Sequence, residues 1–377
     1  VKKEISYQVS LEEDENKLEQ VLRRSLELSP REIRRAKFRP QGICVNGVRR
    51  RVTETVRQGE RITVCLEEEG DGQDQLVAVA GELQVLYEDG DVLAVCKPPG
   101  QVCHPSGGHY ADTLANVMQD YFQRKGQQGR IRLIGRLDQE TSGIVLAAKS
   151  QAAASRLSKQ REQGILKKEY LALAAGNPLP DQGWVEEPIG PAKNRTEGKR
   201  EAIRMQVRPD GKPARTFYET LAQRDGVSLL RLTLDTGRTH QIRVHMAWLG
   251  CPLLGDTLYA AMAEGFTRAA LHAGTGGFTQ AVLHAGAEGF TQAALHAGTG
   301  GFTQAVLHAG AEGFTQAALH ARTGGFTRAA LHAWRLAFCQ PFTGEPIVLQ
   351  APFPEDFAGY LVHFPQIVYN GEDVKGS

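Results

Sequence analysis

Apolar side chains return at helical spacing across residues 17–39, at Leu18, Val21, Leu22 and Leu26, then at Leu28, Ile33, Ala36 and Phe38. This period predicts amphipathic helix. Ser29, Pro30 and Glu32 supply an N-cap, a first-turn proline and an acidic third residue, so a second short helix starts there. The pattern then shifts to short apolar runs. Ile43-Cys-Val-Asn-Gly47 and Arg61-Ile-Thr-Val-Cys-Leu66 read as strands around turns at Asn46-Gly47 and Gln58-Gly59. From Leu83 onward, Val85–Cys96 predicts strand, turn and strand, and Ile144–Ala148 a buried strand. Ser150 to Gln163 predicts a helix capped by Ser150 and stopped by Gly164. Further strands are expected at Ile165–Ala174, Ala214–Gln223 and Val227–Leu234, and a capped helix from Thr239 to Gly250.

Composition adds little until it is resolved along the chain. The 377 residues are 41% apolar and 23% charged, ordinary for a globular protein with room for two domains. The net charge of +1 hides a gradient: from Lys17 to Leu66, thirteen Lys and Arg residues face five Glu, roughly +8. Such a patch on a neutral chain implies a polyanion-binding module. Two short helices followed by a hairpin with an Asn-Gly turn and arginines on its rim resemble the alpha-L RNA-binding domain named for small ribosomal protein S-four, placed at residues 15–68. The acidic, glycine-containing run Glu67–Asp74 reads as the start of a linker over 69–82. The six cysteines show no paired spacing, which fits reduced thiols better than disulfides or a zinc site. No run approaches the ~18 apolar residues of a membrane span, and the first residues lack a signal-peptide core, so the cytoplasm is expected.

Between Met262 and Ala333 the chain repeats every twelve residues, and residues 274–297 recur unchanged at 298–321. The unit carries one histidine per copy: His272, His284, His296, His308, His320 and His332. No carboxylate accompanies them in every copy, so duplication of one strand histidine explains them better than a metal array does. Lengthening a loop from ~12 to ~72 residues costs about 0.6 kcal/mol per doubling, which a domain of this size tolerates. Only the last copy runs into Trp334-Arg-Leu-Ala-Phe338, so that copy is expected to own the core strand. The others are expected to form short strands or short helices beside the domain.

Four polar-rich blocks carry the candidate chemistry: Lys97-Pro-Pro-Gly-Gln-Val-Cys-His-Pro105, Gly135-Arg-Leu-Asp-Gln-Glu-Thr-Ser-Gly143, Lys168-Glu-Tyr-Leu-Ala172 and Gly237-Arg-Thr-His-Gln-Ile-Arg-Val-His245. In order and spacing they resemble the motifs of the RluA-type pseudouridine synthases, over residues 85–260 and 328–362. The resemblance implies an α+β fold with a mixed, largely antiparallel sheet over residues 83–377, interrupted by the repeats. It implies an enzyme that detaches uracil from a uridine in RNA and rejoins it through carbon-5, with neither cofactor nor metal. Asp138 matches the catalytic aspartate and Tyr170 the tyrosine that contacts the base. Arg243 matches the arginine paired with the aspartate, with Arg238 as the alternative. Ile242 is expected beneath the site, and Arg136, Arg238, His240 and Lys97 around the substrate.

Two positions depart from the family pattern. Gly135 stands where many members have His, and Ala260 follows Gly255-Asp-Thr-Leu-Tyr259 where Gly is usual. The resemblance points to large-subunit ribosomal RNA as substrate and to a monomer. The rival reading is a noncatalytic RNA-binding or assembly factor disabled by the repeat.

Overall fold

The computed structural model describes residues 2–67, 76–127, 130–192, 204–259 and 326–364, with the backbone of short strands inside 279–304 and 367–376. The fold is α+β, with a ten-stranded sheet at its centre. The main path of that sheet runs Gln182–Val185, Thr216–Arg224, Val227–Leu234, Lys167–Ala175, Leu331–Cys339, Ser142–Ala148, Val92–Lys97 and Gln84–Glu88. Neighbours are antiparallel except at one seam, where Leu331–Cys339 runs parallel to Ser142–Ala148 through His332–Ser142 and Ala333–Gly143. Gly143 has φ +112°, and a Cβ there would lie 2.2 Å from the Ala333 carbonyl oxygen, so the seam closes only over glycine.

The strand at the seam belongs to the last repeat copy. Phe326, Ala329, Ala330, Leu331, His332, Ala333 and Trp334 are all buried, which places that copy in the core as its sequence context predicts. Of the earlier copies, the described backbone shows Val282–Ala285 antiparallel to Thr291–Ala294 and Thr279–Gln280 parallel to Thr303–Gln304; the rest lies outside the described residues.

Successive residues of Lys167–Ala175 alternate between two cores. Tyr170, Ala172 and Ala174 join Leu230, Leu232, Ile242 and Met246 on one face. Leu171 and Leu173 join Trp334, Phe326 and Phe357 on the other. Helix Leu114–Arg124, which the apolar pattern did not reveal, covers the first core with Leu114, Met118 and Phe122. Helix Gln151–Glu162 starts where Ser150 accepts a hydrogen bond from the Ala153 N–H at 3.0 Å, as expected of a cap.

A separate four-stranded sheet, Lys2–Gln8, Arg61–Glu67, Ile43–Val45 and Val48–Arg49, packs with helices Leu18–Arg24 and Pro30–Lys37 around its own apolar cluster. The Ser29–Glu32 capping box is present. The Asn46–Gly47 turn has φ of +49° and +77°. This unit meets the large sheet's helix at Arg156, whose guanidinium donates to the Leu26 carbonyl at 2.8 Å and lies over the Phe342 ring. The linker expected from the acidic run lies largely outside the described residues.

Two fully buried histidines set an acid limit on the fold. His245 bonds to the Thr216 hydroxyl at 2.8 Å and His332 to the Ser142 hydroxyl at 2.9 Å, and burial pushes both imidazoles down to about 4. An unfolded histidine titrates near ~6.5, so below that pH the unfolded chain binds protons that the fold refuses. Stability is therefore expected to fall progressively from about pH 6.5 to about pH 4. Melting temperatures across that window check this; a flat profile contradicts it.

Candidate active site

The loop 135–141 enters the seam strand, and nearly every residue in it is pinned. Gly135 takes a left-handed conformation at φ +85°, which glycine adopts more easily than the histidine usual in the family. The buried Cys103 thiol clamps Leu137 at both ends, accepting from its N–H and donating to its carbonyl at 3.3 Å each. The Gln139 carbonyl accepts from the Gly100 N–H and from Lys97 Nζ, both at 2.9 Å. Arg328 donates to the Glu140 carbonyl at 3.1 Å, and the Thr141 N–H to the Asp138 carbonyl at 3.2 Å. Among the described residues, no hydrogen bond ties up the half-buried Asp138 carboxylate.

The four blocks meet around it. Cys103, Leu137, Tyr170 and Ile242, one from each, belong to the same apolar cluster. Tyr170 faces the Asp138 charge: burial first, then that charge, push its phenol well above the ordinary tyrosine range. His240 caps helix Gln241–Trp248 in a left-handed conformation, and its Nδ1 lies 2.8 Å from the Tyr259 hydroxyl. Burial lowers the His240 imidazole while the Asp138 carboxylate opposes that shift. Thr239, expected as the cap, instead accepts a hydrogen bond from the exposed Arg136. Gln241 knots the turn before the helix, accepting from the Arg238 N–H at 3.0 Å and donating to the Arg215 carbonyl at 3.0 Å.

Two expectations change. Arg243 does not make its ion pair with Asp138. It forms a two-pronged pair with Asp256, Nε to Oδ2 and Nη2 to Oδ1 at 2.7 Å each, and feels Asp138 only as a further charge. Arg238, the alternative, donates Nε to the Pro213 carbonyl at 2.9 Å. Asp256 is fully buried, and its carboxylate is held in place by its own turn, accepting from the Leu258 and Tyr259 N–H groups at 3.2 Å.

Lys97, expected around the substrate, is turned inward in the structure. It is fully buried, and its ammonium donates to the carbonyls of Pro98, Gln101 and Gln139 at 2.8, 2.8 and 2.9 Å. An ammonium has three N–H donors, so none remains for a phosphate. Lys168, also in the blocks, donates to the Ile144 carbonyl at 2.8 Å. Burial pushes both lysines down to about 8.

The sequence reading passed over Cys103, Tyr259, Asp256 and Arg328 as site residues. Asp256 and Tyr259 do stand in the recognised Gly255–Tyr259 segment, whose i,i+3 spacing suits a turn with its own cap. Among the described residues no group of three or more His, Cys, Asp or Glu side chains could hold a metal ion. None of the described helices is long and apolar enough to cross a membrane.

An α+β fold built on a largely antiparallel sheet, with an aspartate loop at its parallel seam, defines the class. A family model described as RNA pseudouridylate synthase matches residues 91–248. A protein of Bacillus subtilis described as the uncharacterized RNA pseudouridine synthase YjbO is 36% identical over 247 residues, 66% of this chain and 85% of that protein. YhcT of the same organism, also described as an RNA pseudouridine synthase, is 37% identical over 220 residues, 58% of this chain and 70% of the relative. Ribosomal large subunit pseudouridine synthase D of Yersinia pestis is 36% identical over 246 residues, 61% and 73% of the two chains. The chain belongs to the RluA-type RNA pseudouridine synthases and is an isomerase acting on uridine in RNA.

Proposed function

We propose that the substrate is large-subunit ribosomal RNA and that Asp138 is the nucleophile that detaches the uracil. The convergence of four separated blocks on the Asp138 loop carries this reading. A nucleophilic carboxylate must be ionised and unencumbered while the atoms around it stay fixed. Here the backbone of Leu137, Gln139 and Glu140 is held by side chains and by Gly100, whereas the Asp138 carboxylate has no hydrogen bond among the described residues. A flipped uridine needs a flat apolar surface, which the Tyr170 ring offers next to that carboxylate. Its phenol stays protonated, so Tyr170 serves as a platform and a hydrogen-bond donor. His240, on which the Asp138 and Arg136 charges both act, and the exposed Arg136 are the nearby groups for a ribose or phosphate.

The ribosomal substrate is supported by the printed role of the Yersinia relative and by the basic front unit. Arg31, Arg34, Arg35 and Lys37 are exposed on helix Pro30–Lys37. Arg49 donates to the Lys37 carbonyl at 2.8 Å, and the neighbouring Phe38 is 75% exposed. We read residues 15–68 as an alpha-L RNA-binding domain that holds the RNA while residues 83–377 act on it. The rival, noncatalytic reading is not favoured, because the last repeat copy completes the core sheet instead of displacing it.

The test compares the full chain with one lacking residues 1–67 on a large-subunit RNA fragment. Each lost phosphate contact lowers the log–log salt slope by about 0.9 on a duplex and about 0.7 on a single strand. The shortened chain is expected to bind more weakly and with a flatter slope. An unchanged slope removes the front unit from RNA binding. Preference for small-subunit RNA removes the substrate assignment.

A further inference from the structure

We propose that Arg328, in the last repeat copy, is a positioning residue for the Asp138 loop. This rests on the reading of Asp138 as nucleophile. Arg328 is buried at 6% exposure and every edge of its guanidinium is engaged. Nε and Nη2 donate to the Asp356 carboxylate at 2.7 and 2.8 Å, and Nη1 donates to the carbonyls of Glu140 at 3.1 Å and of Ala329 at 3.2 Å. Glu140 lies two residues beyond Asp138. Lys97, Gly100 and Cys103 hold the loop from one side, and Arg328 closes it from the other, from a different part of the chain.

The anchor behind Arg328 is stiff. Asp356 stands in the first turn of helix Glu355–Leu361, and Phe357 beside it is fully buried against Phe326 of the same repeat copy, ring centroids 6.3 Å apart. Arg328 therefore ties the loop to a packed core element rather than to another loop. A planar fork suits this task, because it grips a carboxylate with two donors and still presents a third toward Glu140.

The repeat supplies an internal contrast. The position equivalent to Arg328 is Arg268 in the first copy but Gln280, Gln292, Gln304 and Gln316 in the four interior ones. A glutamine has only two N–H donors, both on a single nitrogen at the end of a shorter side chain, where arginine has five spread over three. It cannot grip both Asp356 oxygens while reaching Glu140. Arginine thus stands in the copy that meets the catalytic loop, as it does in the first copy, and is replaced by Gln in the four interior ones.

The experiment uses the full chain carrying Arg328→Gln, Arg328→Lys or Asp138→Asn, with kcat and KM measured on a large-subunit RNA fragment and folding followed by circular dichroism. A displacement of the loop by about 1 Å is expected to lower kcat by ~10²-fold in Arg328→Gln, with KM within about threefold of wild type. If that variant fails to fold, Arg328→Lys carries the test. Its ammonium keeps the charge opposite Asp356 but loses the fork, and kcat is expected to fall about tenfold in a folded protein. Wild-type kcat in either folded variant, with Asp138→Asn inactive, overturns the positioning role alone. An active Asp138→Asn variant overturns the assignment of the nucleophile, and this inference with it.

Discussion

Replacing Asp138 by Asn is expected to lower the rate of pseudouridine formation by ~10⁴-fold or more, while RNA affinity and melting temperature stay close to wild type. The size follows from the role: loss of a nucleophile removes the reaction path, and what remains is binding. The selectivity follows from the geometry. The loop is fixed through the backbone of Leu137, Gln139 and Glu140, none of which depends on the Asp138 carboxylate. That carboxylate makes no hydrogen bond among the described residues, so an isosteric amide breaks none. A stability loss of several kcal/mol in the variant, or residual activity within about tenfold of wild type, contradicts this assignment.

Asp256→Ala is expected to have the largest effect on stability, about 3–5 kcal/mol, because it strands the Arg243 guanidinium in a buried site without its partner. Both charges are out of water: the Asp256 side chain is fully buried and that of Arg243 is 9% exposed. The same carboxylate accepts from the Leu258 and Tyr259 N–H groups, so its removal also loosens the turn that presents Tyr259 to His240. Activity is expected to fall with stability, through that chain from Asp256 to Tyr259 to His240. Urea unfolding of the variant checks the first part. A loss under about 1 kcal/mol would mean that Arg243 finds another partner, with Asp138 the nearest candidate.

Much of this architecture could be read from the chain, for identifiable reasons. Val227–Leu234 and Gln151–Glu162 carry strong local signals, leucines alternating with Arg231 and Thr233 in one and a Ser cap with a Gly stop in the other, and the structure follows both. The alternation Ile5, Tyr7, Val9 is equally plain and corresponds to strand Lys2–Gln8, which has no counterpart among the expected elements. Helix Leu114–Arg124 went unread although Thr113 forms a capping box with Asn116. Within the site, the sequence motifs brought Asp138, Tyr170, Ile242 and His240 to one place.

Partner choice was not legible. Whether Arg243 meets Asp138 or Asp256 depends on where two distant turns lie in space, and spacing along the chain carries no such information. Lys97 misled for a similar reason. A lysine beside Pro-Pro-Gly looks like a cation offered to RNA, and only burial shows that its three N–H groups serve the carbonyls of two loops. Arg328 was hidden inside the repeat, where its difference from Gln in the interior copies was visible but had no meaning until Glu140 and Asp356 were seen beside it.

The central claim is that this chain isomerises uridine in RNA through Asp138. Forming a carbon-5 glycosidic bond must release the hydrogen carried there, so the most direct measurement is tritium release from large-subunit RNA labelled at carbon-5 of its uridines. The purified 377-residue protein is expected to release tritium in step with pseudouridine formed, and the Asp138→Asn protein to release none above background. No release by wild type, or equal release by the two proteins, would contradict the account.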